Sequence, residues 1–113
     1  MDDELDAKVQ QAYEVMGVLS KVAATHDLSL TQLRTLAILR RHSPRMSELA
    51  DYLGLDRSTV SGLVDRAVAR GLVRRVVDDA DRRSSRLELT AAGRELATIG
   101  AEEVREALRT SIG

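Results

Sequence analysis

Apolar residues recur at helical spacing over most of the chain. Leu5, Val9, Ala12, Met16, Leu19 and Ala23 stand three or four apart, which predicts a first helix over residues 3–24. Val15, Val18 and Val22 widen this stripe, so the helix carries more apolar face than one small domain needs. "SLTQ" then places Ser29 as an N-cap with Gln32 three residues on, the spacing of a capping box. Leu33, Leu36, Ala37 and Leu39 form the inward face of the second helix. It ends before Pro44, because the residue preceding a proline disfavours helical geometry. "MSELADYLG" predicts a short third helix with Met46, Leu49, Ala50 and Leu53 inward and Gly54 at its end. Asp56 caps a fourth helix over residues 57–70, with Val60, Leu63, Val64 and Ala67 inward and Gly71 closing it.

The period then changes. "LVRRVV" is short and β-branched, and "RLEL" alternates polar with apolar. Between them "DDADRRSS" is polar and turn-rich, which predicts a β-hairpin with a charged tip. Thr90 caps a last helix to about Leu108, carrying Leu96, Ile99, Val104 and Leu108 and weakened by Gly93 and Gly100. The expected fold class is mainly α with a small β-hairpin. The third and fourth helices, joined by a short turn containing Gly54, have the spacing of a helix-turn-helix.

Composition narrows this picture. A chain of 113 residues makes one domain with a modest core, and an oligomer would add buried area. With no Phe, no Trp and two Tyr, the core is aliphatic. Tyr13 and Tyr52 are expected to pack with their hydroxyls exposed. The absence of cysteine excludes disulfides and thiolate chemistry. No apolar run is long enough for a membrane span and the start, "MDDELD", is acidic, so a cytoplasmic location without membrane contact is expected. No glycine-rich nucleotide loop follows a strand and no metal-ligand spacing occurs. His26 and His42 fall at helix edges as surface residues. The expectation is a protein without catalytic residues, cofactor or metal, and not an enzyme.

Charge changes the picture more. The net charge of −1 hides a separation. Residues 1–30 hold two Lys against six acids, residues 31–90 twelve Arg against eight acids, and residues 91–113 three Arg against four acids. A basic middle between acidic ends suits a nucleic-acid face. On the helix over residues 57–70 the outward positions are Arg57, Ser58, Thr59, Ser61, Gly62, Asp65, Arg66 and Ala69. Small hydroxyl residues near a helix start allow close approach to a duplex, and an arginine fork matches guanine O6 and N7. Arg57, Ser58, Thr59, Ser61 and Arg66 are therefore the expected DNA contacts of this helix. Arg82 and Arg83 at the hairpin tip are placed to reach the backbone or minor groove, oriented by Asp79 or Asp81. Arg74, Arg75 and Arg86 add phosphate contacts from the strands. Asp65 repels phosphates unless it pairs with an arginine or accepts from cytosine.

Two segments carry a resemblance. "MSELADYLGLDRSTVSGLVDRAVARGLVRR" (46–75) and "DDADRRSSRLELTAAG" (78–93) resemble the MarR family of winged helix-turn-helix transcriptional regulators. The second matches the family's wing signature at Asp81, Arg82, Arg83, Leu89, Thr90 and Gly93. The resemblance implies a homodimer on double-stranded DNA, each subunit giving a recognition helix to the major groove and a wing to the minor groove. It implies one domain over 1–113, with a winged helix-turn-helix core at 29–90 and dimerising helices at 1–28 and 91–113. It also implies a repressor on a palindromic operator and a small aromatic or anionic effector that loosens its grip. The chain departs from the pattern at Gly62, where relatives carry a longer polar residue, and in lacking a sixth helix beyond Leu108. Two other readings are a winged-helix protein-interaction module and a small-ligand sensor with weak DNA binding.

Overall fold

Side chains fix the helix boundaries by satisfying the N–H groups that a first turn leaves free. The computed structural model describes residues 2–112. Helix α1 (Asp3–Thr25) starts at Asp2, whose carboxylate accepts from the Leu5 N–H. Helix α2 (Leu30–Arg41) starts at Ser29 with both bonds of the expected capping box. Helix α3 (Met46–Leu53) starts after Arg45, whose backbone N–H donates to Glu48 at 2.8 Å. It stops at Gly54, which takes the left-handed conformation that a side chain would disfavour. Helix α4 (Arg57–Ala69) is capped by Asp56, which accepts from the Thr59 N–H at 2.7 Å. Strands β1 (Val73–Val77) and β2 (Ser85–Leu89) and helix α5 (Ala91–Ile112) complete the order.

The strands pair antiparallel, with Val73 opposite Leu89 and Val77 opposite Ser85. Leu87 and Leu89 point inward, and the Leu87 N–H donates to the Pro44 carbonyl at 2.8 Å. The segment before α3 thus lies alongside β2 and bridges it at Arg45 and Arg86. Leu36 from α2, Leu49 from α3, Val60 and Val64 from α4 and Leu87 from β2 meet at the centre of the core. Truncating such a leucine to alanine removes contacts and leaves a cavity, costing about 2–5 kcal/mol.

Two inward-face expectations are corrected. Ala37 is exposed, and Thr35 is buried in its place with its hydroxyl donating to the Thr31 carbonyl. That bond satisfies the hydroxyl locally, so a polar residue enters the core without a stranded donor. Tyr13 is two-thirds exposed at 67 %, ring as well as hydroxyl largely open. Tyr52 is half exposed and stacks on His42, with ring centroids 5.3 Å apart. Along α1 only Val22 and Ala23 are buried, while Leu5, Val9 and Met16 stay open.

The start of α5 is pressed against the start of β1. The Thr90 N–H donates to the Leu72 carbonyl at 3.0 Å. A Cβ added at Gly93 would lie 1.9 Å from that same carbonyl oxygen. Gly100 likewise lets Leu33 approach, within 3.2 Å of where a Cβ would stand. Both glycines serve close packing, which outweighs their poor helix propensity.

Candidate nucleic-acid interface

Helix α4 presents its inner and outer faces as its periodicity demands. Val60, Leu63, Val64 and Ala67 are buried; Arg57, Ser58, Thr59, Asp65 and Arg66 are exposed, and Ser61 and Gly62 are half-buried. The cap at Asp56 also takes the Ser58 hydroxyl at 2.9 Å. The Thr59 N–H and hydroxyl, then the Ser58 hydroxyl, hold the Asp56 carboxyl below its ordinary range. Ser58 therefore spends its proton on the cap. Arg66 folds back along the helix, and its Nη1 lies 3.5 Å from where a Gly62 Cβ would be. Asp65 meets Arg75 of β1 at 2.6 Å, so the acid on this face is paired and Arg75 is held against α4.

Residues 78–84 join the strands as a projecting loop. Arg82 is exposed and Arg83 is 94 % exposed. Asp81 accepts from the Arg83 backbone N–H at 3.1 Å and meets its Nε at 3.5 Å. Asp81 thus holds Arg83 at the tip of the loop. Asp79 is exposed and has no ion pair among the described residues.

The residue that fastens the loop is Asp78, which the pattern did not single out. It is 3 % exposed and pairs with Arg45 at 2.7 Å and Arg86 at 3.5 Å. The Ala80 N–H donates to its other oxygen at 2.9 Å. That N–H, the Arg45 guanidinium and the charge of Arg86 together hold its carboxyl below the usual range. Arg86 also donates to the Ser43 carbonyl at 2.8 Å. Its guanidinium thus also braces the base of the loop. Arg74 meets Glu88 at 3.1 Å and stays largely exposed.

These elements enclose a cleft of about 620 Å³. Arg57 lines it from the start of α4, Arg82 and Arg83 from the loop, and Arg45 and Ser47 from the start of α3. The helix start and the loop tip therefore share one basic surface. Among the described residues no group of three His, Cys, Asp or Glu could hold a metal, and no helix is long and apolar enough to cross a membrane.

A helix-turn-helix followed by a hairpin with a basic tip defines a winged helix-turn-helix. A family model for the MarR family matches residues 26–84, and the chain belongs to that family. It is 36% identical over 77 residues to the HTH-type transcriptional repressor NicR of Pseudomonas putida, a match covering 67% of this chain and 49% of that protein. The chain spans about half the length, or less, of the curated relatives it matches. Apo MarR from Escherichia coli shares the fold with a TM-score of 0.86 at 20% identity, covering 98% of this chain and 83% of that one. CouR from Rhodococcus jostii, solved with p-coumaroyl-CoA, gives a TM-score of 0.79 at 28% identity, covering 95% of this chain and 76% of that one.

Proposed function

We propose that the chain is a sequence-specific DNA-binding transcriptional regulator, a repressor that binds a palindromic operator as a homodimer. The carrying observation is the cleft that Arg57 shares with Arg82 and Arg83. A duplex lying on α4 meets the loop on the same side. Arg57 and Arg66 are the base readers, Ser61 and Thr59 shape the close approach, and Arg82 and Arg83 reach the flanking groove. Arg75 holds Asp65 away from phosphates. The relationship to a named repressor, NicR, supports the regulatory sense.

Selection of bound sequences from random DNA tests this reading. A recovered palindrome is expected, with half-sites about one helical turn apart. Recovery of no motif, with equal weak binding to all duplexes, would refute it. The double variant Arg82→Ala, Arg83→Ala should weaken binding to every duplex and lower the salt slope by about 1–2.

A ligand-responsive reading has its own observation. A cavity of about 340 Å³ lies between α1, α2 and α5, walled by Leu19, Leu33, Ala97 and Val104 and rimmed by Arg34, Arg40, Arg41 and Arg105. Apolar walls with a cationic rim suit an aromatic acid or its thioester, and CouR was solved with such a thioester. Calorimetry with aromatic acids checks it; absence of heat across the series removes the effector.

A further inference from the structure

The DNA-facing cleft does not account for the basic charge of the middle segment. A second cleft, of about 580 Å³, opens elsewhere on the hairpin. Arg40 and Arg41 line it from the end of α2, Arg74 from β1 and Arg94 from the first turn of α5. Arg74 and Arg75 are successive strand residues, so their side chains leave opposite faces. Arg75 reaches α4 through Asp65, while Arg74 turns to its cross-strand neighbour Glu88. The second cleft is therefore across the sheet from the surface that α4 and the loop form.

Its chemistry is one-sided. Among the described residues Glu88 is its only carboxylate, and that group is already engaged by Arg74. Arg40, Arg41 and Arg94 have no ion pair among the described residues. Like charges set on one cleft by the end of α2 and the start of α5 repel each other in the absence of an anion. The walls are polar, because Leu39 and Leu89, which border the cleft, are themselves buried. Such walls offer an aromatic ring little, unlike the cavity between α1, α2 and α5. Guanidinium forks grip phosphate oxygens in pairs, and a diphosphate offers one such group to the arginines of α2 and another to Arg94 of α5.

We propose that this cleft binds a diphosphate group, free or carried on a nucleoside. Occupancy would tie the end of α2, the base of the hairpin and the start of α5 together. Those are the elements that set the angle of the loop against α5.

Calorimetric titration of the chain with inorganic pyrophosphate, and separately with ADP, tests this. Saturable binding of one ligand per chain is expected in at least one titration. The double variant Arg74→Ala, Arg94→Ala should weaken it at least about tenfold, the loss of two charge-assisted contacts. Arg34→Ala, Arg105→Ala, which alters only the rim of the other cavity, should bind as the unchanged chain does. All four arginines lie at the surface, and circular dichroism melts verify that each variant is folded. No saturable heat with either ligand overturns the proposal. So does equal loss in the Arg82→Ala, Arg83→Ala variant, which would mean diffuse attraction to basic charge. Weaker binding of the Arg74→Ala, Arg94→Ala variant to long duplexes, without diphosphate binding by the unchanged chain, would reassign the cleft to the DNA backbone. None of these outcomes depends on whether the operator reading holds.

Discussion

Asp78 sits among Arg45, Arg86 and the Ala80 N–H, and all three favour its charged form. Its carboxyl is therefore harder to protonate in the folded chain than in the unfolded one. Asp56 is depressed in the same way by its cap bonds. The sign follows from linkage: below about pH 4 the unfolded chain takes up more protons, so the stabilisation present above that pH is lost as it falls. Thermal melts from neutral to acid pH should show the midpoint dropping there, with a shallower drop in Asp78→Asn. An unchanged slope in that variant would remove the assignment. At neutral pH Asp78→Asn leaves Arg45 and Arg86 without their shared anion and should loosen the loop, seen as weaker DNA binding at unchanged helix content. On α4, Arg57→Ala should weaken operator binding by about 1–3 kcal/mol, because its exposed guanidinium has no ion pair among the described residues. Ser58→Ala should cost the operator less, since the hydroxyl already donates to Asp56; a gel-shift titration ranks the two. The sequence pattern picked out Asp79 and Asp81 of "DDAD" as residues that orient the loop arginines and passed over Asp78. Which one turns inward depends on where β1 ends and on Arg45 and Arg86, 33 residues before and eight after it in sequence.

Elements with a single buried face were legible because hydrophobic period reports burial directly. α2 and α4 begin and end within a residue of their caps, and the hairpin follows from β-branched residues around a turn-rich loop. Contacts between elements were not legible. Gly93 reads as a flaw in α5 until Leu72 is placed against it, and no local pattern announces that approach. Gly93→Ala would drive a Cβ into a backbone carbonyl, which cannot swing aside as a side chain can. We expect a destabilisation of about 3 kcal/mol, at the upper end for overpacking, read as a shift of the denaturant midpoint at constant slope. A loss under 1 kcal/mol would mean that α5 slides freely on β1. The same reasoning explains Ala37 and Thr35. Both lie near the edge of the inward stripe of α2, and tertiary packing rather than polarity decides which is covered.

Taken whole, the chain is too extended to be finished by its own core. Its radius of gyration is 15.8 Å, against about 13 Å for a compact chain of this length. The excess comes from α1 and α5, which pack on each other while no residue in the outer half of α1 is buried. Leu5, Val9, Tyr13 and Met16 lie along that half with about half or more of their surface open. The wide apolar stripe in the sequence already showed more hydrophobic face than the domain needs, but not what would cover it. A second copy is the occupant that the proposed two-fold operator requires. If α1 and α5 dimerise, folding and association are one equilibrium, and the melting temperature must rise with chain concentration. Leu5→Asp, Val9→Asp would set like charges at the seam. That variant should sediment as a monomer and melt at a temperature independent of concentration. It should also lose most of its affinity for the full palindrome while keeping its weaker affinity for a single half-site. A variant that stays dimeric by sedimentation would place the interface elsewhere on the surface. A wild-type melting temperature that ignores concentration would leave α1 as a face for a different partner.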